Sequence, residues 1–260
     1  MQEQDILQSY YENVDEDQRL STRHGAIEYL TTKAYIDRYL TPGMRLLDIG
    51  AGTGRYTLHY ASQGYEVTAI ELVQRYVDII TSKKSPDMHL TVLKGDAKNL
   101  LLEDHQFDVT LVMGPMYHLF NDEDKAKAIT EAYRVTRPGG VVFFSFLTHD
   151  SVLLEWMRGG HLSKGIANGF VSPDFRCINK PPMLIFDTEY VFDFEQRLLH
   201  AGFEHLHTVA QDGVSCHIRD ILDKADEAQY EAWKQYHLHT CERKDLIGFS
   251  NHVLYVGRKP

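Results

Sequence analysis

Residues 46–54 read Leu-Leu-Asp-Ile-Gly-Ala-Gly-Thr-Gly. Leu46 and Leu47 belong to a short apolar strand, and Asp48 places a carboxylate at its end. Gly50, Gly52 and Gly54 then open a turn around Ala51. Without a Cβ, glycine reaches positive φ and lets a ligand approach the backbone. Residues 55–62 have helical composition, and a helix start offers free N–H groups and the positive end of its dipole. Strand, glycine turn and helix in this order predict a ligand site. Further acids stand at the ends of later apolar runs. Glu71 closes the run 66–70, about 20 residues past the first glycine, where a carboxylate suits the hydroxyl pair of a ribose. Asp96 follows the run 90–94 between Gly95 and Ala97, and residues 107–113 run into Gly114-Pro-Met-Tyr-His-Leu119.

The elements that must hold these residues alternate. Predicted strands at 45–49, 66–70, 90–94, 107–113 and 141–146 are separated by helices at 56–63, 73–83 and 125–135, with a shorter segment after the third strand. Such alternation implies parallel strands with crossover helices, a doubly wound α/β sheet. Ligands bind such sheets at the carboxyl ends of the strands, which is where every motif above falls. The sign of Asp48 adds a constraint. A carboxylate two residues before Gly50 repels the pyrophosphate of a dinucleotide and attracts an ammonium group.

With Arg137-Pro-Gly-Gly140 ahead of the fifth strand, this order of motifs resembles the class I S-adenosylmethionine (SAM)-dependent methyltransferases, strongly over residues 42–149. The resemblance implies a seven-stranded, mostly parallel Rossmann-like sheet whose last strand runs antiparallel between two neighbours, and SAM as cofactor. Glu71 is then expected on the ribose and Leu72 on one face of the adenine. Asp96 accepts from the exocyclic amine, with the Ala97 N–H alongside. Asp48 and the backbone of Gly50 and Met113 lie near the methionine end, and Ala51, Gly52, Gly54 and Gly114 complete the set. An N-terminal helical segment is expected to cover the cofactor, with Tyr10, Tyr11, Arg19, Arg23 and His24 as inward-facing candidates. Arg23 is taken as the partner of the cofactor's carboxylate, because a guanidinium makes two charge-assisted bonds to such a group. Tyr117 and His118 are the acceptor-side catalytic candidates, His118 because an ordinary imidazole titrates near 6.5 and serves as a base at neutral pH.

The organisation read from the chain is an N-terminal helical lid over 1–41 and a SAM-binding core over 42–149. A substrate-side insertion at 150–187, broken by repeated Gly and Pro, and a C-terminal part of the same sheet domain at 188–260 follow. In that last part a helix is predicted over 188–201 with Thr188 as its cap, then a strand over 203–211, helices over 219–222 and 225–241, and a strand over 252–257.

The 260 residues carry 27 Lys and Arg against 37 Asp and Glu, a formal charge of −10. Nucleic-acid grips show a basic face, so the balance favours a small, neutral or cationic methyl acceptor and no nucleic acid. The acceptor loop also lacks the Asn/Asp-Pro-Pro-aromatic pattern of many amino-directed DNA and protein methyltransferases. An RNA or protein methyltransferase and a non-catalytic SAM- or nucleotide-binding module are the alternatives. Cys177, Cys216 and Cys241 are far apart and read as free thiols of a reducing compartment. The polar, acidic start does not read as a secretion signal, and no apolar run approaches the ~20 residues of a membrane span. A cytoplasmic enzyme is expected. The 14 histidines, including His205, His207, His237 and His239, form no i,i+4 ligand pair on a helix, so no metal is expected.

Overall fold

The computed structural model describes Leu7, residues 9–11, 20–178 and 185–260. Arg19, named above as an inward-facing candidate, and Pro181-Pro182 of the Pro-broken stretch 150–187 lie outside the described residues. Seven strands carry the fold: β1 Arg45–Ile49, β2 Glu66–Glu71, β3 Leu90–Lys94, β4 Phe107–Val112, β5 Thr136–Leu147, β6 Glu204–Ala210 and β7 His252–Arg258. They form one sheet in the order β3-β2-β1-β4-β5-β7-β6. β1 to β5 pair in parallel, while β7 is antiparallel to both β5 and β6. This is the mostly parallel sheet with an inserted last strand that the motifs imply.

Strands covered on both faces become continuous apolar runs. Leu46, Leu47, Ile49, Val109, Leu111, Val112, Phe143 and Phe144 are each at most 1 % exposed. Helix Val191–His200 packs onto β5 through Phe194, whose ring stacks on Phe146 with centroids 4.0 Å apart. Two helix starts move by three residues from the sequence reading. The helix expected from 125 begins at Asp122, because the Asn121 side chain accepts from the Asp124 N–H at 2.8 Å and three acids complement the dipole of the first turn. The helix expected from 188 begins at Val191, because the Thr188 hydroxyl is hydrogen-bonded to His149 Nδ1 at 2.6 Å and is not available as a cap. β5 starts before the Arg-Pro-Gly-Gly stretch; the register shifts between the Phe107 and Val109 partners, and Gly139 takes φ +77°.

The region after β5 is less irregular than expected. Helix His149–Arg158 contains the short helix that the sequence places at 151–157, and helix Leu162–Ala167 is additional. Its return, residues 185–190, is fastened to the carboxyl edge of the sheet. The Glu189 N–H donates to the Leu147 carbonyl at 2.8 Å, and the Asp187 N–H donates to the Tyr117 carbonyl at 2.7 Å. Lys125, whose side chain is 6 % exposed, donates to Asp187 Oδ2 and Glu189 Oε1, both at 2.5 Å. Removing one member of a buried ion group leaves the rest uncompensated, at about 3–5 kcal/mol. Lys125→Ala is therefore expected to lower unfolding stability by about that amount and to raise hydrogen exchange at 185–190. Urea titration showing a loss below about 1 kcal/mol would mean that this ion group behaves like a solvated surface pair.

Candidate functional site

The glycine turn bends back over the end of β2. Gly50 and Ala51 donate their N–H groups to the Ile70 carbonyl at 2.8 and 3.2 Å, and Gly50, Gly52 and Gly54 have φ of +74°, +56° and +88°. These glycines do different work. A Cβ on Gly50 would lie 2.7 Å from Pro115 Cδ, and one on Gly54 2.9 Å from Ile80 Cγ1, so close packing closes both positions. A Cβ on Gly52 would have no atom within 4 Å. Gly52 opens onto a cavity lined also by Asp48, Ala51, Glu71, Leu72, Asp96 and Ala97.

Glu71 ties this turn to the exit of β2. Its Oε2 accepts from the Gly52 N–H and its Oε1 from the Val73 N–H, each at 2.8 Å. Each carboxylate oxygen keeps a further lone pair, enough for two hydroxyls. Burial raises its pKa, opposed by these backbone bonds. Asp48 is 1 % exposed, and its Oδ2 accepts from the Thr57 hydroxyl at 2.6 Å. Burial pushes its carboxyl up to about 6, with the Thr57 bonds pulling the other way. A cation beside it would offset that burial. Asp96 is half-buried; its Oδ1 accepts from the Lys98 N–H at 3.0 Å. The donor set fits SAM: carboxylates for an ammonium and for a ribose, an open glycine between them, and Leu72 and Ala97 beside Asp96.

Gly114 and the 3₁₀ turn Pro115–His118 continue the cavity from the end of β4, with Met113, Tyr117 and His118 on its wall. His118 is set differently from an ordinary imidazole. Its Nδ1 faces the Ile185 carbonyl at 2.9 Å and its Nε2 the Tyr11 hydroxyl at 2.7 Å. The carbonyl only accepts, so Nδ1 carries the proton and Nε2 accepts from Tyr11. Burial lowers the pKa to about 4, with the Ile185 bond acting in the opposite sense. The expectation of a base titrating near 6.5 is thus corrected: His118 is neutral, and its lone pair is engaged by the tyrosine.

Arg23 also departs from expectation. It does not line the cavity; its guanidinium donates to Glu227 Oε2 at 3.0 Å and to the Asp226 carbonyl at 3.3 Å, and sits over the Tyr230 ring. Helix Glu227–Thr240 holds it on the far side of helix Arg23–Ile36. His24 is likewise taken by Asp223, at 2.8 Å. Among the described residues, the guanidinium that does line the cavity is Arg55, the first residue of helix Arg55–Ser62. Tyr11 reaches the wall as expected, whereas the Tyr10 ring stands edge-on to Tyr11 and Phe186. Glu28, Ser145 and Gln211 line the cavity too and were missed. Glu28 had a signal, a carboxylate beside Ile27 at the start of an apolar stripe; Ser145 and Gln211 had none.

Among the described residues, no helix is long and apolar enough to cross a membrane. Residues 47–144 match the family model for a methyltransferase domain. The chain is 33 % identical over 111 residues to a malonyl-[acyl-carrier protein] O-methyltransferase from Serratia marcescens, covering 43 % of this chain and 41 % of that one. It is 35 % identical over 109 residues to a demethylmenaquinone methyltransferase from Renibacterium salmoninarum, covering 42 % and 43 %. The chain thus spans less than half the length of these curated relatives. Its fold matches a Thermotoga maritima SAM-dependent methyltransferase, described as a possible histamine N-methyltransferase, with a TM-score of 0.60, 20 % identity and full coverage of both chains. Sheet order, glycine turn and family match identify residues 47–144 as a class I SAM-dependent methyltransferase domain.

Proposed function

We propose that the protein is a methyltransferase that moves the methyl group of SAM to a small-molecule acceptor. The observation that carries this reading is Gly52, which faces open space between the buried carboxylates of Asp48 and Glu71 in a cavity that continues to Tyr117. A dinucleotide would bring its pyrophosphate against Asp48, so NAD is disfavoured by charge. The formal charge of −10 supports a small acceptor over RNA, and the extension of the cavity past the cofactor residues supports catalysis over mere binding.

In this reading Glu71 holds the ribose, Asp48, steadied by the Thr57 hydroxyl behind it, faces the ammonium, and Arg55 replaces Arg23 as the group for the carboxylate. Asp96 and the Ala97 N–H take the adenine edge beside Leu72. When bound, SAM supplies a methyl group already activated by its sulfonium. The chain's task is to align the acceptor and exclude water. Tyr11, donated from the N-terminal segment, and Tyr117 close the acceptor side. His118 fixes Tyr11 by accepting from its hydroxyl, and is itself set by the Nδ1 bond to Ile185. The lid proper is confined to residues before Arg23, because Arg23 and His24 are anchored by Glu227 and Asp223.

Three results follow. Gly52→Val fills the open space and is expected to abolish SAM binding by calorimetry. Its φ of +56° adds a fold cost of about 1–3 kcal/mol, so circular dichroism of the variant accompanies the titration; a folded variant with parental affinity would remove the glycine turn from the site. Glu71→Ala is expected to weaken SAM by about 1.5–3 kcal/mol, and NADH should give no binding heat with the parent. Tight NADH binding without SAM binding would reverse the cofactor assignment. Histidine NMR should place the His118 midpoint near 4. A histidine whose pKa falls on burial loses stabilisation as pH drops below its exposed value, so Tyr11–His118 closure should weaken progressively from about pH 6.5 downward, seen as faster hydrogen exchange at residues 9–11. A midpoint at the ordinary value would show that Tyr11 does not cover this ring.

A further inference from the structure

A second group of side chains able to bind a ligand forms where the helix after β5 meets the segment after β6. Glu155 is on helix His149–Arg158, and Cys216 and His217 stand between β6 and helix Arg219–Leu222. None of the three lines the cofactor cavity. One atom from each, a carboxylate oxygen, the thiol sulfur and a ring nitrogen, lies within 4.8 Å of the other two. The sequence expectation of no metal rested on the lack of an i,i+4 histidine pair. This triad has other residue types, and only the fold brings its two segments together.

The neighbours of this group set its protons. His217 Nε2 is 3.0 Å from the carbonyl of Phe249, in the turn Ile247–Phe249. A carbonyl only accepts, so Nε2 carries the ring proton and Nδ1 of the neutral ring keeps a lone pair. Nδ1 lies 3.5 Å from Glu155 Oε1. That oxygen is buried and accepts no hydrogen bond among the described residues. Two acceptors thus face each other, and a positive species between them would relieve both. A proton would draw them to about 2.7–2.9 Å, the length of a charge-assisted N–H···O bond. Two atoms each ~2.0–2.1 Å from a tetrahedral ion stay about 3.4 Å apart, close to the 3.5 Å found. The other oxygen, Oε2, accepts from Arg219 at 2.5 Å, which aims Oε1 at the triad. Arg158 is bonded elsewhere, to the Cys216 and His217 carbonyls and to Asp220. Burial raises the pKa of the Cys216 thiol, with the charges of Asp212 and Glu155 acting in the same sense and Arg219 against them. The thiol is therefore neutral until a metal displaces its proton.

We propose that Glu155, Cys216 and His217 form a zinc site that clamps the helix after β5 to the segment after β6. Thiolate, imidazole and carboxylate together are zinc ligands, whereas calcium and magnesium take oxygen ligands. On binding, the Cys216 S–H bond breaks, its electron pair becomes the sulfur–zinc bond, and the proton passes to water. Zinc with one thiolate and one carboxylate sums to zero charge, so the buried acceptors are satisfied without a net charge being added. The three side chains leave the fourth tetrahedral position to a water molecule. The Phe249 carbonyl orients His217 and Arg219 orients Glu155, the outer hydrogen bonds that a metal ligand needs to hold its direction. The ion then ties together three segments at one edge of the sheet: helix His149–Arg158, residues 213–218 and, through His217, the turn ahead of β7. The site does not depend on which acceptor the enzyme methylates.

The test strips the whole chain with EDTA and titrates it with zinc chloride, following heat by calorimetry and counting retained metal by mass spectrometry. One zinc per chain is expected. Cobalt(II) in place of zinc should show the charge-transfer absorption of a thiolate–cobalt bond. Cys216→Ser is expected to lose that band and, like His217→Gln, to weaken zinc by about 10²-fold or more, while Cys177→Ser matches the parent. Zinc should also slow hydrogen exchange at 149–158 and 213–218 in the parent and not in Cys216→Ser. No saturable zinc uptake by the folded parent overturns the proposal. So do zinc uptake with no thiolate–cobalt band, parental affinity in Cys216→Ser and His217→Gln, or an equal loss in Cys177→Ser, each of which places the ion elsewhere. Circular dichroism checks each variant; should Cys216→Ser not fold, His217→Gln and Glu155→Gln decide.

Discussion

The cavity exists because one buried carboxylate holds two chain segments apart at a set distance. Glu71 accepts from Gly52 in the turn after β1 and from Val73 after β2, at 2.8 Å each. A carboxylate 6 % exposed is costly to bury unless hydrogen bonds replace its water. The backbone supplies two of them, and they in turn fix the path of the glycine turn. The turn must stay at positive φ for Gly52 to present its N–H to Glu71, and that same geometry leaves the space beside Gly52 open. Carboxylate, turn and void are therefore one arrangement, not three features that happen to coincide.

The acceptor side depends on residues much further apart in sequence. His118 acquires its low pKa from burial, and Ile185 makes that burial tolerable by accepting the Nδ1 proton. Ile185 is in place because the neighbouring Asp187 and Glu189 are drawn to Lys125 on a different helix. The ion group thus does for the acceptor loop what Glu71 does for the cofactor turn. It also gives the region after β5 a defined return path, so that Phe186 meets the rings of Tyr117 and His118.

How much of this was legible in the sequence follows from the range of the interactions. The strands were legible because a parallel sheet needs apolar runs, and the local order strand, turn, helix places Asp48, Glu71 and Asp96 without reference to anything distant. Arg23 was not, because the orientation of its helix is decided by Glu227 and Tyr230, about two hundred positions later. The state of His118 was hidden for the same reason: a histidine at that place is a neutral-pH base only if water reaches it, and the segment that excludes water is remote. The start of helix Val191–His200 was misread because Thr188, a good cap by type, was already bonded to His149.

The electrostatics of the two ends of the cavity are unlike, and the difference bears on what each can hold. At the cofactor end Asp48 and Glu71 are both pushed toward protonation by burial, yet each keeps hydrogen-bond donors that favour the ionised form. They are carboxylates in balance, to be settled by the cation and hydroxyls of a ligand. At the acceptor end Asp212 is committed to ionisation by His252 and Ser250, so negative charge is built in before any ligand arrives. Glu28 faces the cavity in front of that fixed charge.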